Sequence, residues 1–195
     1  MDKLVAIFEM VNRCSWSGKE KNMQEYHDLE WGVPVHDDKK LFEFLVLEGA
    51  QAGLSWSTIL KRREGYRRVF RDFDILEVSK FSEKDILNAL KDEGIIRNRL
   101  KIKSTVNNAK LVLEIQKEFG SFDKYIWNFV KGKPIVNKFN LLKEIPTTTS
   151  IFDLMSKDLK KRGFSFVGST ICYAFMQAVG MVNDHEMSCF RYGEI

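Results

Sequence analysis

Apolar residues along this chain recur mainly at helical spacing. From Asp37 to Glu48, the residues Leu41, Phe42, Phe44, Leu45 and Leu47 form a wide buried face. Ser55 caps a helix through Trp56, Ile59 and Leu60, which runs on into KRREGYRRVFR at 61–71. Ser82 followed by Asp85 has the form of a capping box for DILNALKD, and Gly94 reads as the stop beyond it. A long basic helix is predicted over Arg99–Phe119, and Ser121 opens another in FDKYIWNFV. Gly132 and Pro134 mark a connection, and the stretch 131–150, with two prolines and a threonine run, is the least regular part. Two last helices fit 151–161 and 168–181. Strict apolar–polar alternation is nowhere sustained, so the fold class expected is all-α.

Composition agrees with one folded unit. The 195 residues, 44% hydrophobic and 30% charged, have an ordinary soluble profile and exclude a disordered tail protein. Twelve glycines and three prolines leave little material for the many tight turns of a sandwich or barrel. The 31 basic and 27 acidic residues give a net charge of +4, which permits nucleic acid as a partner without demanding it. The cysteines, Cys14, Cys172 and Cys189, are odd in number, so a reducing cytoplasm is expected. The opening MDKLVAIFEMVNR is broken by Glu9 and has no small-residue cleavage site. It reads as a helical turn or two and not as a signal peptide or membrane span.

Three groups of residues could carry chemistry. His185 and Cys189 are four apart, and on a helix would share a face as metal ligands do. Cys14 and His27 could supply a second pair, closing a tetrahedral shell without an open position. Spacing alone leaves scattered buried residues as the commoner outcome. In DEGIIRNRLKIKSTVNNAK at 92–110 a glycine turn lies between two helical patterns, and Arg97, Arg99, Lys101, Lys103 and Lys110 are all basic. Such a hairpin suits phosphate, although a solvated basic face looks the same in sequence. In LEGAQAGLSW at 47–56, Glu48 lies near Trp56, a carboxylate and an aromatic plate fit for an amine-bearing cationic ring. A solvated helix-end Glu and a core Trp would read alike.

Taken together these segments resemble the type I 3-methyladenine DNA glycosylases, a bacterial family of the helix–hairpin–helix glycosylase superfamily. The resemblance runs through NRCSW, YHDLEWGVP, DDKKLFEFLVLEGAQAGLSWSTILKRRE, DEGIIRNRLKI, EIPTTTS and LKKRGFSFVGSTICYAFMQAVGMVNDH. It covers nearly everything from Asn12 to Cys189. It implies a helix–hairpin–helix glycosylase fold in one catalytic unit over 1–195. A terminal lobe (12–37 plus 131–190) would be tied by zinc, and a helical lobe (38–130) would carry the helix–hairpin–helix near 83–113.

The resemblance also implies residue roles. One structural Zn²⁺ would join the chain ends through Cys14, His27, His185 and Cys189, leaving Cys172 as a core thiol and His36 as a surface imidazole. Glu48 would be the catalytic carboxylate, with Trp56, Tyr26 and Trp16 walling the base pocket and Leu54 wedging the gap left by a flipped nucleotide. Gly94, Ile96, Arg97 and Arg99 would hold DNA backbone. Two positions depart from the family: Met23 stands where a pocket tyrosine often does, and Leu100 replaces the hairpin's later glycine.

The partners so implied are double-stranded alkylated DNA and the 3-methyladenine base, acted on by a cytoplasmic monomer with no membrane contact. Stacking of a cationic base on Trp56 is worth about 2 kcal/mol when desolvated, and Glu48 adds charge-assisted hydrogen bonds. No Asp occurs between Asp92 and Asp123, and no lysine is placed for a Schiff base, so a monofunctional hydrolase is expected. The alternative is a non-catalytic helix–hairpin–helix module that binds damaged DNA. A zinc hydrolase is disfavoured by the full ligand set and the lack of HExxH.

Overall fold

In the computed structural model the described residues are 11–146 and 149–195. The expected opening turn therefore lies, for residues 1–10, outside them, as do Thr147 and Thr148 of EIPTTTS. The described residues are mostly helical: α1 (Lys21–Leu29), α2 (Asp38–Gln51), α3 (Trp56–Leu60), α4 (Arg63–Val69), α5 (Ile75–Ser79), α6 (Glu83–Ala89), α7 (Arg99–Phe119), α8 (Phe122–Asn128), α9 (Ser150–Lys161) and α10 (Ser169–Ala178).

Helix α2 is the hub. Leu41, Phe42, Phe44, Leu45 and Leu47 are all buried, and α3, α7, α8 and α10 pack around it. Each such side chain contributes roughly 1.5–3 kcal/mol on leaving water, which outweighs any local preference. Asp37 accepts from Lys40 N at its start. Helix α7 turns Ile102, Val106, Ala109, Val112 and Ile115 inward at intervals of three and four. Asn98 caps it through Leu100 N and Lys101 N, and Gly120 ends it at φ +87°. The capping box of Ser82 and Asp85 is present at α6, and Ser55 and Ser121 cap α3 and α8.

Several expectations need correction. The all-α class stands, but Ile135–Val136 and Val182–Asn183 pair as a parallel two-residue ladder that was not expected. Two residues cannot show an alternating pattern, and the partners lie far apart in sequence. The helix expected from Ser55 through 71 is broken at Lys61 and Arg62, where α3 gives way to α4. The last helix stops at Ala178 because Gly180 (φ +72°) passes so close to Val33 and Pro34 that a Cβ there would meet backbone at 2.4 Å. Gly94 is not a left-handed stop. It packs on Gly65 instead, where an added Cβ would sit 2.1 Å from the Gly94 carbonyl oxygen. Helix α1, which carries Tyr26 and His27, is an element the pattern did not predict.

A candidate base pocket and metal centre

The 53–55 turn follows α2 directly. Gly53 at φ +78° reverses the chain, and Leu54 N donates to Gln51 O. Leu54 is left 40% exposed at the tip, and Ser55 starts the short helix that begins with Trp56. Lys101 holds this corner from below. Its Nζ donates to Ala50 O and Ala52 O, both at 2.8 Å, so one of the hairpin's expected basic charges is spent inside the fold. Burial lowers its pKa.

A cavity of about 350 Å³ opens beside that corner. Glu48, Trp56, Tyr26 and Trp16, the residues expected to form a base pocket, are brought together along its wall. Trp31 lines it too, as do Gln51, Tyr173, Gln177, Leu142, Ile145 and Pro146, the last six of which were not singled out from sequence. Gln51, Ile145, Pro146, Tyr173 and Gln177 had no signal beyond membership of the matching strings, and Leu142 lies outside them all. Met23 is not among the lining residues, so its departure leaves the wall to Tyr26. The rings interlock: Tyr26 and Trp56 have centroids 5.2 Å apart, and Trp16 and Trp31 4.8 Å.

Several polar groups of this cavity have no partner among the described residues. Glu48 is 4% exposed, and no hydrogen bond reaches its carboxyl among the described residues. Burial pushes its pKa up to about 8. Tyr26 is raised by burial and then by the nearby Glu48. The indole N–H groups of Trp16 and Trp56 are buried without acceptors. Buried polar groups are normally satisfied, so this combination invites a ligand with a flat ring and edge donors and acceptors.

The hairpin is less open than expected. Gly94 N donates to Asp92 Oδ1 and Ile96 N to the Tyr66 hydroxyl, so neither amide is free. Arg97 and Arg99 are half exposed and ion-paired with Glu93 and Glu83. Leu100 is 70% exposed and its amide serves the Asn98 cap.

Cys14, His27, His185 and Cys189 come together behind the aromatic wall, their donor atoms all within 4.8 Å of one another. His185 and Cys189 meet across a turn and not along a helix. Cys14 Sγ lies 3.3 Å from His185 Nδ1, and Cys189 Sγ lies 3.4 Å from His27 Nε2 and 3.6 Å from His185 Nδ1. A tetrahedral ion with bonds of about 2.0–2.3 Å sets its ligand atoms roughly 3.3–3.8 Å apart, and these three separations lie in that range. The surroundings fix the tautomers. His27 Nδ1 is held by Asp28, itself clamped by Arg13, and His185 Nε2 by the Trp31 carbonyl, which aims the other nitrogens inward. A hydrogen bond from the Cys14 thiol is the chief cause that lowers the Cys189 pKa, and the same contact raises that of Cys14. Cys172 is buried away from the cluster, and His36 is exposed beside Asp123 and Trp127, as expected.

The family model for methyladenine glycosylases matches residues 16–192. This chain belongs to the methyladenine glycosylase family. It is 50% identical over 182 residues to DNA-3-methyladenine glycosylase 1 of Escherichia coli (strain K12), covering 93% of this chain and 97% of that protein. The Haemophilus influenzae DNA-3-methyladenine glycosylase is 48% identical over 92% of this chain and 97% of its own. Among solved structures, a Staphylococcus aureus 3-methyladenine DNA glycosylase I superposes with a TM-score of 0.89 at 36% identity, over 92% of this chain and 96% of that one. A crystal structure of 3-methyladenine DNA glycosylase I gives 0.90 at 48% identity, over 92% and 98%. As in any methyladenine glycosylase, the site to explain is the one that takes a purine.

Proposed function

We propose that this chain is a DNA repair N-glycosylase that flips 3-methyladenine out of alkylated duplex DNA and hydrolyses its glycosidic bond without a lyase step. What carries the reading is the cavity beside Trp56, where a buried, unpartnered carboxyl lies among unpartnered indole N–H groups. A module that only bound DNA would have no use for such an arrangement.

An N3-methylated adenine in DNA is cationic and its glycosidic bond is already weak, so the protein's task is selection and not protonation of the leaving base. Trp56 and Tyr26 offer π-faces to the cation, worth about 2 kcal/mol once desolvated. Glu48, largely protonated at neutral pH in the empty cavity, loses its proton to water as a cation enters, and the carboxylate then accepts from the base's N–H edge. Leu54, exposed at the turn, fills the gap left in the stack. Arg97 and Arg99, exchanging Glu93 and Glu83 for phosphate oxygens, grip the DNA backbone from the hairpin that carries Gly94 and Ile96. The elements α6 and α7 with the turn between them act as the helix–hairpin–helix.

The cluster of two thiols and two imidazoles suits Zn²⁺. Bound by Cys14, His27, His185 and Cys189, the ion would have a closed shell, and the chemistry it supplies is a cross-link between the chain ends. It would tether a terminal lobe (12–37 and 131–190) beside the helical lobe (38–130) in one catalytic unit. The enzyme works as a cytoplasmic monomer; no helix among the described residues is long and apolar enough to cross a membrane.

The test is base release from methylated duplex DNA. Wild type should free 3-methyladenine and leave the strand uncut, and Glu48→Ala should release little. A wild type that frees no base would sink the reading.

A further inference from the structure

Gln177 lies on α10 and lines the cavity. Its Nε2 donates to Asp184 Oδ2 at 2.8 Å. Asp184 is 1% exposed, and its carboxyl also accepts from the Tyr173 hydroxyl and, at 2.6 Å, from Asn137 Nδ2. Three donors therefore converge on one buried acceptor. Turning the Gln177 amide over would press Oε1 against a carboxyl oxygen and leave a donor unmatched, which a buried site does not tolerate. The amide is thus held in one orientation. Among the described residues Gln177 Oε1 has no hydrogen-bond partner; since Gln177 lines the cavity and Nε2 is committed to Asp184, Oε1 is the end of the amide open to a ligand.

The other polar groups there cannot take over the same discrimination. Glu48 accepts from the base's N–H edge as the carboxylate, but with a pKa of about 8 it can take up a proton and donate to an oxo group instead, so it separates the two only weakly. The indole N–H groups of Trp16 and Trp56 are donors only and answer ring nitrogens. A fixed acceptor is what separates an amino group from an oxo group at the same position of a purine.

We propose that Gln177 is a specificity-determining residue: its locked Oε1 accepts from an exocyclic amino group, admitting 6-aminopurines and turning away 6-oxopurines of the same shape. This rests on the cavity being the base pocket. Asp184 sets the amide's direction, and Tyr173 and Asn137 saturate Asp184.

Binding of free 3-methyladenine and of its 6-oxo counterpart, 3-methylhypoxanthine, is measured by calorimetry on wild type, Gln177→Met and Gln177→Ala, with folding checked by circular dichroism and melting. Methionine matches the length, alanine cannot clash in the helix, and Asp184 keeps Tyr173 and Asn137 as donors in both, so at least one folded variant is expected. Wild type should favour the amino base by about tenfold or more. Either folded variant should bring the ratio within about threefold. General damage to the pocket weakens both bases together and leaves the ratio unmoved. A variant that keeps the wild-type ratio, or a wild type that binds both bases equally, overturns the proposal alone. A wild type that binds neither base overturns the base-pocket reading and the proposal with it.

Discussion

Tyr26 and His27 are neighbours in the chain yet serve opposite sites. Tyr26 lines the cavity 5.2 Å from Trp56, whereas His27 brings Nε2 to 3.4 Å from Cys189 Sγ. Adjacent residues of one helix point to either side of the aromatic wall, so whatever holds His27 also holds Tyr26. Trp16 is tied in the same way, two residues beyond Cys14 and 5.3 Å from the His27 ring.

Metal removal should therefore be felt in the pocket. Purified protein is expected to contain one zinc per chain by elemental analysis. Chelation should lower the melting temperature by about 10 °C, as a loss of roughly 3–5 kcal/mol does in a domain of this size. Affinity for free 3-methyladenine should fall as well. Protein without zinc whose melting a chelator leaves unchanged would remove the ion from the account.

The glycine pair behind the hairpin makes a sharper structural test. Gly65→Ala puts a methyl group onto the Gly94 carbonyl, where neither backbone can retreat without moving the hairpin. Overpacking of this kind costs about 1–3 kcal/mol, read as a lower urea midpoint. Duplex DNA should bind more weakly and free base as well as before. Unchanged DNA affinity would show that the hairpin does not grip the phosphates.

Much of this was legible in sequence where the signal was local. Long helices with their own caps, such as α7 with Asn98 and Gly120, follow from spacing and end residues. Helix α1 escaped because KNMQEYHDL is mostly polar and Glu20 gives it no side-chain cap. The ladder of Ile135–Val136 with Val182–Asn183 pairs residues far apart, which no window sees. Lys101 counts as a surface charge in a sequence, yet its ammonium group lies on the Ala50 and Ala52 carbonyls. Glu48 and Trp56 were found because one turn joins them. Tyr173 and Gln177 were not, since only the folded helix brings them to the cavity.

Leu54→Ala separates wedge from pocket. The side chain is 40% exposed, so its loss should change stability by less than about 0.5 kcal/mol. Release of 3-methyladenine from duplex DNA should drop by roughly tenfold or more, because an unfilled gap restores part of the few kcal/mol that flipping costs. Release from single-stranded DNA should change little. Equal losses on both substrates would mean that Leu54 shapes the pocket and does not fill the stack.

Glu48 ties stability and activity to the same proton. Its pKa, about 8 in the folded protein against an ordinary 4.5, means that the native state keeps a proton that the unfolded chain has lost. Between those values the empty enzyme therefore loses stability as pH rises, by about 1.4 kcal/mol per unit at most, and the deficit is complete above pH 8. Glu48→Gln removes the titrating group while keeping its shape, so the variant should lack that slope and be the more stable protein at pH 8.5. Catalysis should move the other way. A cationic base needs the carboxylate, so kcat/KM on methylated DNA should climb as pH approaches 8 and level off above it, whereas Glu48→Gln should be slow at every pH. Parallel melting curves for the two proteins from pH 5 to 9, or a wild-type kcat/KM that is flat over that range, would mean that Glu48 is already ionised and paired in the empty cavity.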